Sequence, residues 1–321
     1  MKSPSILAVG GAHVDRRGQV SGVYVPGASN PGIMREDLGG GVFNAVRNAV
    51  RRGATAALMS VRGGDAAGDM VARAIAEEGI EDLSAVFLDR TTPSYTAILD
   101  QDGDVITGFA DMMLYELAFP KQMRRSKMRE ALDRTDAILC DANLPAEALR
   151  SLAGLAAGKP VFVIAVSPAK VVRLDGLLSS LACLFMNRRE IVALAETGEA
   201  DIATSVGALR ARGLCRGVIT AGESAVIGFD GDELFSIAPP KARKVVDVTG
   251  AGDALAGATT VAMLRGLPLR QALREGVAAA VLAVESDKSA PELSPEEFAA
   301  MLSLVPQAEE MHEGANIGDT P

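Results

Sequence analysis

The chain has 321 residues, which allows one large domain or two small ones. Its 32 Lys and Arg against 41 Asp and Glu leave a formal net charge of −9, which argues against nonspecific nucleic-acid binding but leaves room for a small anion on a nest of backbone N–H groups. Aromatic residues are only 4% and Trp is absent, so the core must come from Ala, Val, Leu and Ile, and base stacking on rings is excluded as a main activity. In chain order, residues 5–9 read as a buried strand ending at Gly10-Gly11. Residues 20–35 are rich in Gly, Pro, Ser and Asn and read as irregular strands and turns outside the core. Residues 44–52 carry an Ala/Val stripe with arginines off it, the pattern of a helix stopped by Gly53. A strand over 56–61 and a helix over 65–78 follow. Strands over 86–88 and 94–99 come next, and 104–109 returns across a turn as a hairpin partner.

The second half repeats the alternation. Helices are expected over 127–133, 145–157, 188–196, 202–212, 253–265, 269–285 and 295–304. Strands are expected over 137–140, 161–166, 181–185 and 216–220, with a small hairpin over 225–229 and 233–236 and a strand at 245–246. Strand–helix alternation from 5 to 286 predicts an α/β fold: a mainly parallel sheet with helices on both faces. The segments 16–36 and 91–113 are β-rich without helices and are expected to pair as a small sheet, a lid beside the main body. Residues 1–306 are read as one domain and 307–321, polar and acidic, as a disordered tail. The three Cys are far apart with no C-x-x-C pair, and the apolar run near the start is too short for a signal segment. A cytoplasmic setting is expected.

The strongest chemical signal is Asp247-Val248-Thr249-Gly250-Ala251-Gly252-Asp253, a glycine-rich turn opening a helix. Backbone N–H groups of Ala251, Gly252 and Asp253 point out of a helix N-terminus, where the macrodipole adds roughly half a positive charge. That is an anion hole, with the Asp253 carboxylate beside it to take a proton from a hydroxyl. An Asp at a helix start also serves as a plain cap, which accounts for Asp253 but not for the whole run. No G-x-x-x-x-G-K-[ST] loop and no G-x-G-x-x-G turn is present. The second signal is Gly39-Gly40-Gly41-Val42-Phe43-Asn44: glycines that admit a polyhydroxylated ligand, then an amide suited to a diol. A structural turn with an Asn cap is the other reading.

These two blocks, in this order and at this separation, resemble the two signatures of the ribokinase-like (PfkB-type) kinases of sugars and nucleosides. The resemblance implies a three-layer α/β sandwich with a β-lid that often forms a homodimer interface. It implies ATP and Mg²⁺ as cofactors and transfer of a phosphoryl group to a primary hydroxyl. Asp253 resembles the catalytic base and Gly250, Ala251 and Gly252 its anion hole. Asp15, Gly40, Gly41 and Asn44 resemble the sugar-binding residues. Asn187 and Glu190 resemble an N-x-x-E pair that organises Mg²⁺ through water, and Thr220 and Gly222 a nucleotide-phosphate contact. Asp247 and Thr249 resemble positions near a K⁺ site in some members. Where the family commonly has Asp-Pro, this chain has Ile164-Ala165.

Within the family, the runs Ser29-Asn30-Pro31-Gly32, Thr92-Pro93-Ser94-Tyr95, Ile98-Leu99-Asp100, Ala110-Asp111-Met112 and Asp141-Ala142-Asn143-Leu144 resemble the branch that phosphorylates pseudouridine. Asn143 is then a candidate to pair with a uracil edge, and Ser94 and Tyr95 to cover base or ribose. A turn Asn and edge-strand residues are the other reading. His13, two residues from Asp15, is a candidate substrate contact or a structural histidine. Rival functions are a kinase of free sugars such as ribose or fructose, and a silent nucleotide- or nucleoside-binding protein.

Overall fold

The computed structural model describes residues 3–198 and 200–311. Its strands in chain order are β1 (Ser5–Val9), β2 (His13–Val20), β3 (Gly32–Gly39), β4 (Thr55–Met59), β5 (Val61–Gly63), β6 (Glu81–Asp82), β7 (Ala85–Phe87) and β8 (Ser94–Leu99). They continue as β9 (Val105–Asp111), β10 (Ala137–Asp141), β11 (Val161–Ile164), β12 (Cys183–Asn187), β13 (Arg216–Thr220), β14 (Val226–Asp230), β15 (Glu233–Ile237) and β16 (Glu309–Glu310). The helices are α1 (Gly41–Arg51), α2 (Ala66–Glu77), α3 (Met113–Gln122), α4 (Ser126–Arg134), α5 (Ala146–Leu155) and α6 (Pro168–Val171). After them come α7 (Arg188–Ala195), α8 (Ile202–Ala211), α9 (Ala251–Leu264), α10 (Leu269–Val284) and α11 (Pro295–Leu304).

One ten-stranded sheet runs β16-β15-β14-β13-β12-β11-β10-β1-β4-β6, parallel from β13 to β6 and antiparallel beyond. The central strands are buried on both faces because helices cover both. Ile6 and Ala8 of β1 join the core under α1, α9 and α10; Leu7 and Val9, pointing the other way, join the core under α3, α5 and α7. The α1–α9 crossing is tight: a Cβ on Gly257 would sit 2.1 Å from the Ala45 carbonyl oxygen. A second sheet, β3-β2-β8-β9, stands beside the main one, and β5 pairs with β7. The expected fold class and the small sheet from the two β-rich segments are therefore present.

Several local expectations differ. The middle of the 20–35 region, 21–31, is turn and bend as expected, but its ends belong to two regular strands, because β2 and β3 pair along all eight residues from His13↔Gly39 to Val20↔Gly32. The α3 helix was not expected. It is apolar nearly all round, with Leu114, Tyr115 and Phe119 buried and Met113 and Leu117 exposed, and Pro120 inside it, so no stripe marks it. The strand expected at 245–246 is absent. Val246 and Asp247 donate their N–H groups to the Val284 carbonyl at the end of α10 (2.9 and 3.4 Å), so this stretch closes a helix terminus rather than a sheet. The tail expected from 307 is ordered as far as 311: β16 pairs with β15, and Arg270 and Arg274 of α10 donate to the carbonyls of Ala308, Pro306 and Val305. The rest of that tail, 312–321, lies outside the described residues. Among the described residues no helix is long and apolar enough to cross a membrane.

Candidate active site

Strands β1, β10, β11, β12 and β13 run parallel, so their carboxyl ends share one edge of the sheet, the edge where ligands of open α/β sheets bind. The start of α9 faces it. Gly250 takes a left-handed φ of 79°, and a Cβ there would lie 2.5 Å from that of Ser289, so the turn requires glycine. No side chain caps this helix. The N–H of Ala251 is engaged weakly by the Val248 carbonyl at 3.4 Å. Gly252 is exposed with open space where a side chain would go, so the backbone there is accessible to an anion.

Asp253 sits in the first turn of α9. Desolvation pushes its carboxyl up to about 7, and the hydrogen bond from Asn44 pulls in the opposite direction. The nearby charges of Asp141, Asp15 and Glu190 raise it further. Gly41 lies beside this carboxylate: a Cβ there would make ordinary van der Waals contact with Asp253 Oδ1 (3.5 Å), Ile164 (3.6 Å) and Val166 (3.7 Å). A carboxylate titrating near neutrality is matched to accepting a hydroxyl proton.

Asn44 is turned inward. Its Nδ2 donates to Asp253 Oδ2 at 3.0 Å and its Oδ1 accepts from Ser289 Oγ at 3.0 Å. The amide expected to bind a diol is thus engaged in holding Asp253. Gly40 serves the backbone: it has φ 115°, and a Cβ would lie 2.1 Å from the Gly11 carbonyl oxygen. Asp15 projects from β2 with His13 Nε2 3.2 Å from its Oδ1. The other ring nitrogen of His13, Nδ1, lies 3.1 Å from the buried Tyr115 hydroxyl, while Asp15 Oδ1 is buried without a hydrogen-bond partner among the described residues.

Asp141, at the end of β10, is fully buried. Its Oδ2 accepts from the N–H groups of Gly11 (3.2 Å) and Val42 (3.0 Å) and from Asn143 Nδ2 (3.1 Å); its Oδ1 accepts from Asn143 N (3.0 Å). It therefore ties the Gly10-Gly11 turn after β1 and the Gly39–Gly41 turn before α1 to one strand end. Asn143 Oδ1 accepts from the Lys170 ammonium. One donor and one acceptor of the Asn143 amide are thus engaged within the protein, the arrangement of a structural turn Asn. Burial pushes the Lys170 ammonium below the usual lysine range, with Asp141 opposing that shift.

Asn187 and Thr220 are register partners on β12 and β13. Asn187 and Glu190 form a capping box: Asn187 Oδ1 accepts from Arg189 N and Glu190 N, and Glu190 Oε2 accepts from Asn187 N at 2.6 Å. Burial pushes the Glu190 carboxyl up. Thr220 Oγ1 donates to the Met186 carbonyl at 3.4 Å, and Gly222 is left-handed at φ 62°. Among the described residues no group of three or more His, Cys, Asp or Glu could hold a metal ion alone. A hard cation here would take a single carboxylate plus water and phosphate oxygens, which suits Mg²⁺. Asp247 and Thr249 are both gripped by Arg17, from Nη1 to Asp247 Oδ2 (2.8 Å) and from Nη2 to Thr249 Oγ1 (2.9 Å).

Ser94 and Tyr95 are adjacent on β8, so they point to opposite faces of the small sheet. Tyr95 is in register with Asp15 and Ser94 with Val14, which leaves only Tyr95 on the face that carries Asp15.

A family model described as pfkB family carbohydrate kinase matches residues 3–296. The chain belongs to the pfkB family. This pfkB-family chain is 28% identical over 310 residues to the pseudouridine kinase of Escherichia coli (strain K12), covering 95% of this chain and 97% of that one. A solved carbohydrate kinase from Agrobacterium tumefaciens is 45% identical, with a TM-score of 0.84 and coverage of 96% and 100%. The ribokinase of Arabidopsis thaliana, solved with ribose and ATP, is 21% identical with a TM-score of 0.83, covers 94% of this chain and 99% of that one, and shares the fold. In this pfkB chain, Arg17, Lys170 and Ser289 were not singled out from sequence. They lie on a lone strand residue, a short helix and a loop, and only long-range pairing brings them to the crevice.

Proposed function

We propose that the protein transfers the γ-phosphoryl group of ATP to the 5′-hydroxyl of a nucleoside, with pseudouridine as the acceptor. The observation that carries the chemistry is the desolvated Asp253 carboxylate at the open start of α9. Asp253 takes the hydroxyl proton as the oxygen bonds to the γ-phosphorus. The bond from that phosphorus to the β,γ-bridging oxygen breaks, and ADP leaves. The α9 start, with Gly250, Ala251 and Gly252, receives the charge that develops on the phosphoryl oxygens. Glu190 and Asn187 would hold Mg²⁺ through water; when bound, Mg²⁺ neutralises phosphate charge. Asp15, with its buried Oδ1 left without a hydrogen-bond partner among the described residues, and Gly41 line the acceptor side, while Thr220 and Gly222 lie on the nucleotide side. Closure of the small sheet excludes water and suppresses ATP hydrolysis.

The choice of acceptor is supported by the likeness over nearly the full length of both chains to the pseudouridine kinase. Comparing kcat/KM for pseudouridine, uridine, adenosine, ribose and fructose tests it. Pseudouridine is expected to be favoured; a free sugar preferred over every nucleoside makes the protein a sugar kinase, and ADP release without acceptor dependence points to a silent binding protein.

We also propose a homodimer through the small sheet, in the cytoplasm. Ile33, Met34, Val105 and Phe109 stand out from it, each more than half exposed. Sedimentation of the wild type as a monomer at micromolar concentration would defeat this, and Phe109→Glu is expected to shift a dimer toward monomer.

A further inference from the structure

Arg17 lies in the middle of β2, two residues beyond Asp15 and on the same face of the small sheet. Its guanidinium reaches out of that sheet and grips two side chains of one turn. Nη1 donates to Asp247 Oδ2 at 2.8 Å, and Nη2 donates to Thr249 Oγ1 at 2.9 Å. The other Asp247 oxygen, Oδ1, accepts from Thr249 N at 2.8 Å. Side-chain exposure is 33% for Arg17 and 29% for Asp247, so the pair is shielded but not sealed.

The turn it grips leads directly into α9. Gly250 packs on Ser289, Ser289 holds Asn44, and Asn44 holds Asp253. The guanidinium therefore ties the sheet that carries Asp15 to the backbone that carries Asp253. A planar fork with two donors on two acceptors fixes orientation as well as distance, which a bare ion does not.

The K⁺ that the resemblance places near Asp247 and Thr249 does not fit these residues. Both carboxylate oxygens of Asp247 already have donors, and Thr249 Oγ1 accepts from Arg17. An entering cation would meet the guanidinium charge beside both side chains. We propose that Arg17 is a built-in cation: it does at the 247–249 turn what a monovalent ion would do there, and it makes the enzyme independent of K⁺. Arg17 is a positioning residue acting through the turn on α9. The turnover arm of the test rests on the kinase reading; the melting arm does not.

Wild type and Arg17→Ala are compared in about 0.1 M KCl and in choline chloride at the same ionic strength. Wild-type turnover and Tm are expected to be the same in both salts. Arg17→Ala is expected to lose roughly tenfold in turnover in choline, to recover several-fold with K⁺ or added guanidinium, and to melt higher in KCl. Because melting needs no substrate, an inactive preparation still decides the point, and the wild-type comparison decides it if the variant does not fold. The inference is overturned by wild-type turnover or Tm that rises clearly with K⁺, by an Arg17→Ala protein unimpaired in choline, or by one whose loss neither cation repairs.

Discussion

Replacing Asp253 with Asn removes a charge while keeping the shape of the side chain. The carboxyl is pushed from an ordinary 3.8 up to about 7 in the folded protein. Each pKa step is worth about 1.4 kcal/mol, so ionised Asp253 costs the fold up to about 4 kcal/mol at pH 8. The side chain keeps an exposed edge, so about half of that is expected to be recovered by Asn. For a chain of this size the Tm gain is roughly 3 °C. The sign follows from linkage. Below the unfolded pKa both states are protonated and the two proteins melt alike. As pH rises from about 4 to 7 the unfolded wild type ionises while folded Asp253 resists, so the variant gains. Above the folded pKa the gap is constant. Meanwhile kcat falls by roughly 10²–10⁴-fold through loss of the base. Scanning calorimetry between pH 4 and 8, paired with coupled-assay turnover, reads both. A Tm gap that is flat with pH, or that favours wild type at pH 8, refutes the desolvated carboxylate; near-normal kcat refutes its role.

Three further outcomes follow from the same contacts. In wild type, kcat/KM is expected to rise through an acid limb near pH 7; Asn44→Ala removes the hydrogen bond that favours the ionised form, so the limb moves upward, and a downward or absent shift in the pH–rate profile contradicts this. Gly257→Ala places a Cβ against the Ala45 carbonyl and forces α1 from α9, lowering stability by roughly 1–3 kcal/mol; an unchanged denaturant midpoint shows that the crossing relaxes freely. Glu190→Gln keeps an acceptor for the Asn187 N–H but loses the charge, so stability stays within about 1 kcal/mol while the Mg²⁺ needed for half-maximal rate rises. An unaltered Mg²⁺ titration removes Glu190 from the cation set.

The crevice and its helix start were legible because they are local. A run of small residues and glycines between Asp247 and Asp253 writes a tight turn and an uncapped helix into adjacent positions. The strand–helix alternation was legible for the same reason: burial on a sheet or a helix face has a period of two or about 3.6 residues. Where periodicity was missing, the reading missed with it. The all-round apolar α3 and the irregular 238–250 stretch carry no face to count.

Which partner a polar side chain chooses was not legible. Asn44, Asn143 and His13 each read either as a ligand contact or as a structural residue, and in the fold their side chains are bonded to Asp253, Asp141 and Tyr115. Those choices join residues as far apart in the chain as 209 positions for Asn44–Asp253 and 230 for Arg17–Asp247. A buried polar group must find a donor or acceptor wherever the packing places one, and no local pattern encodes that. The acidic, glycine-rich, ring-poor sequence by itself determined the layers, the two glycine turns and the carboxylate beside them. Only the tertiary structure decided that this carboxylate is desolvated, that Asn44 and Ser289 brace it, and that an arginine from the small sheet takes up Asp247. Desolvation and pairing depend on what surrounds a group in space, not in sequence.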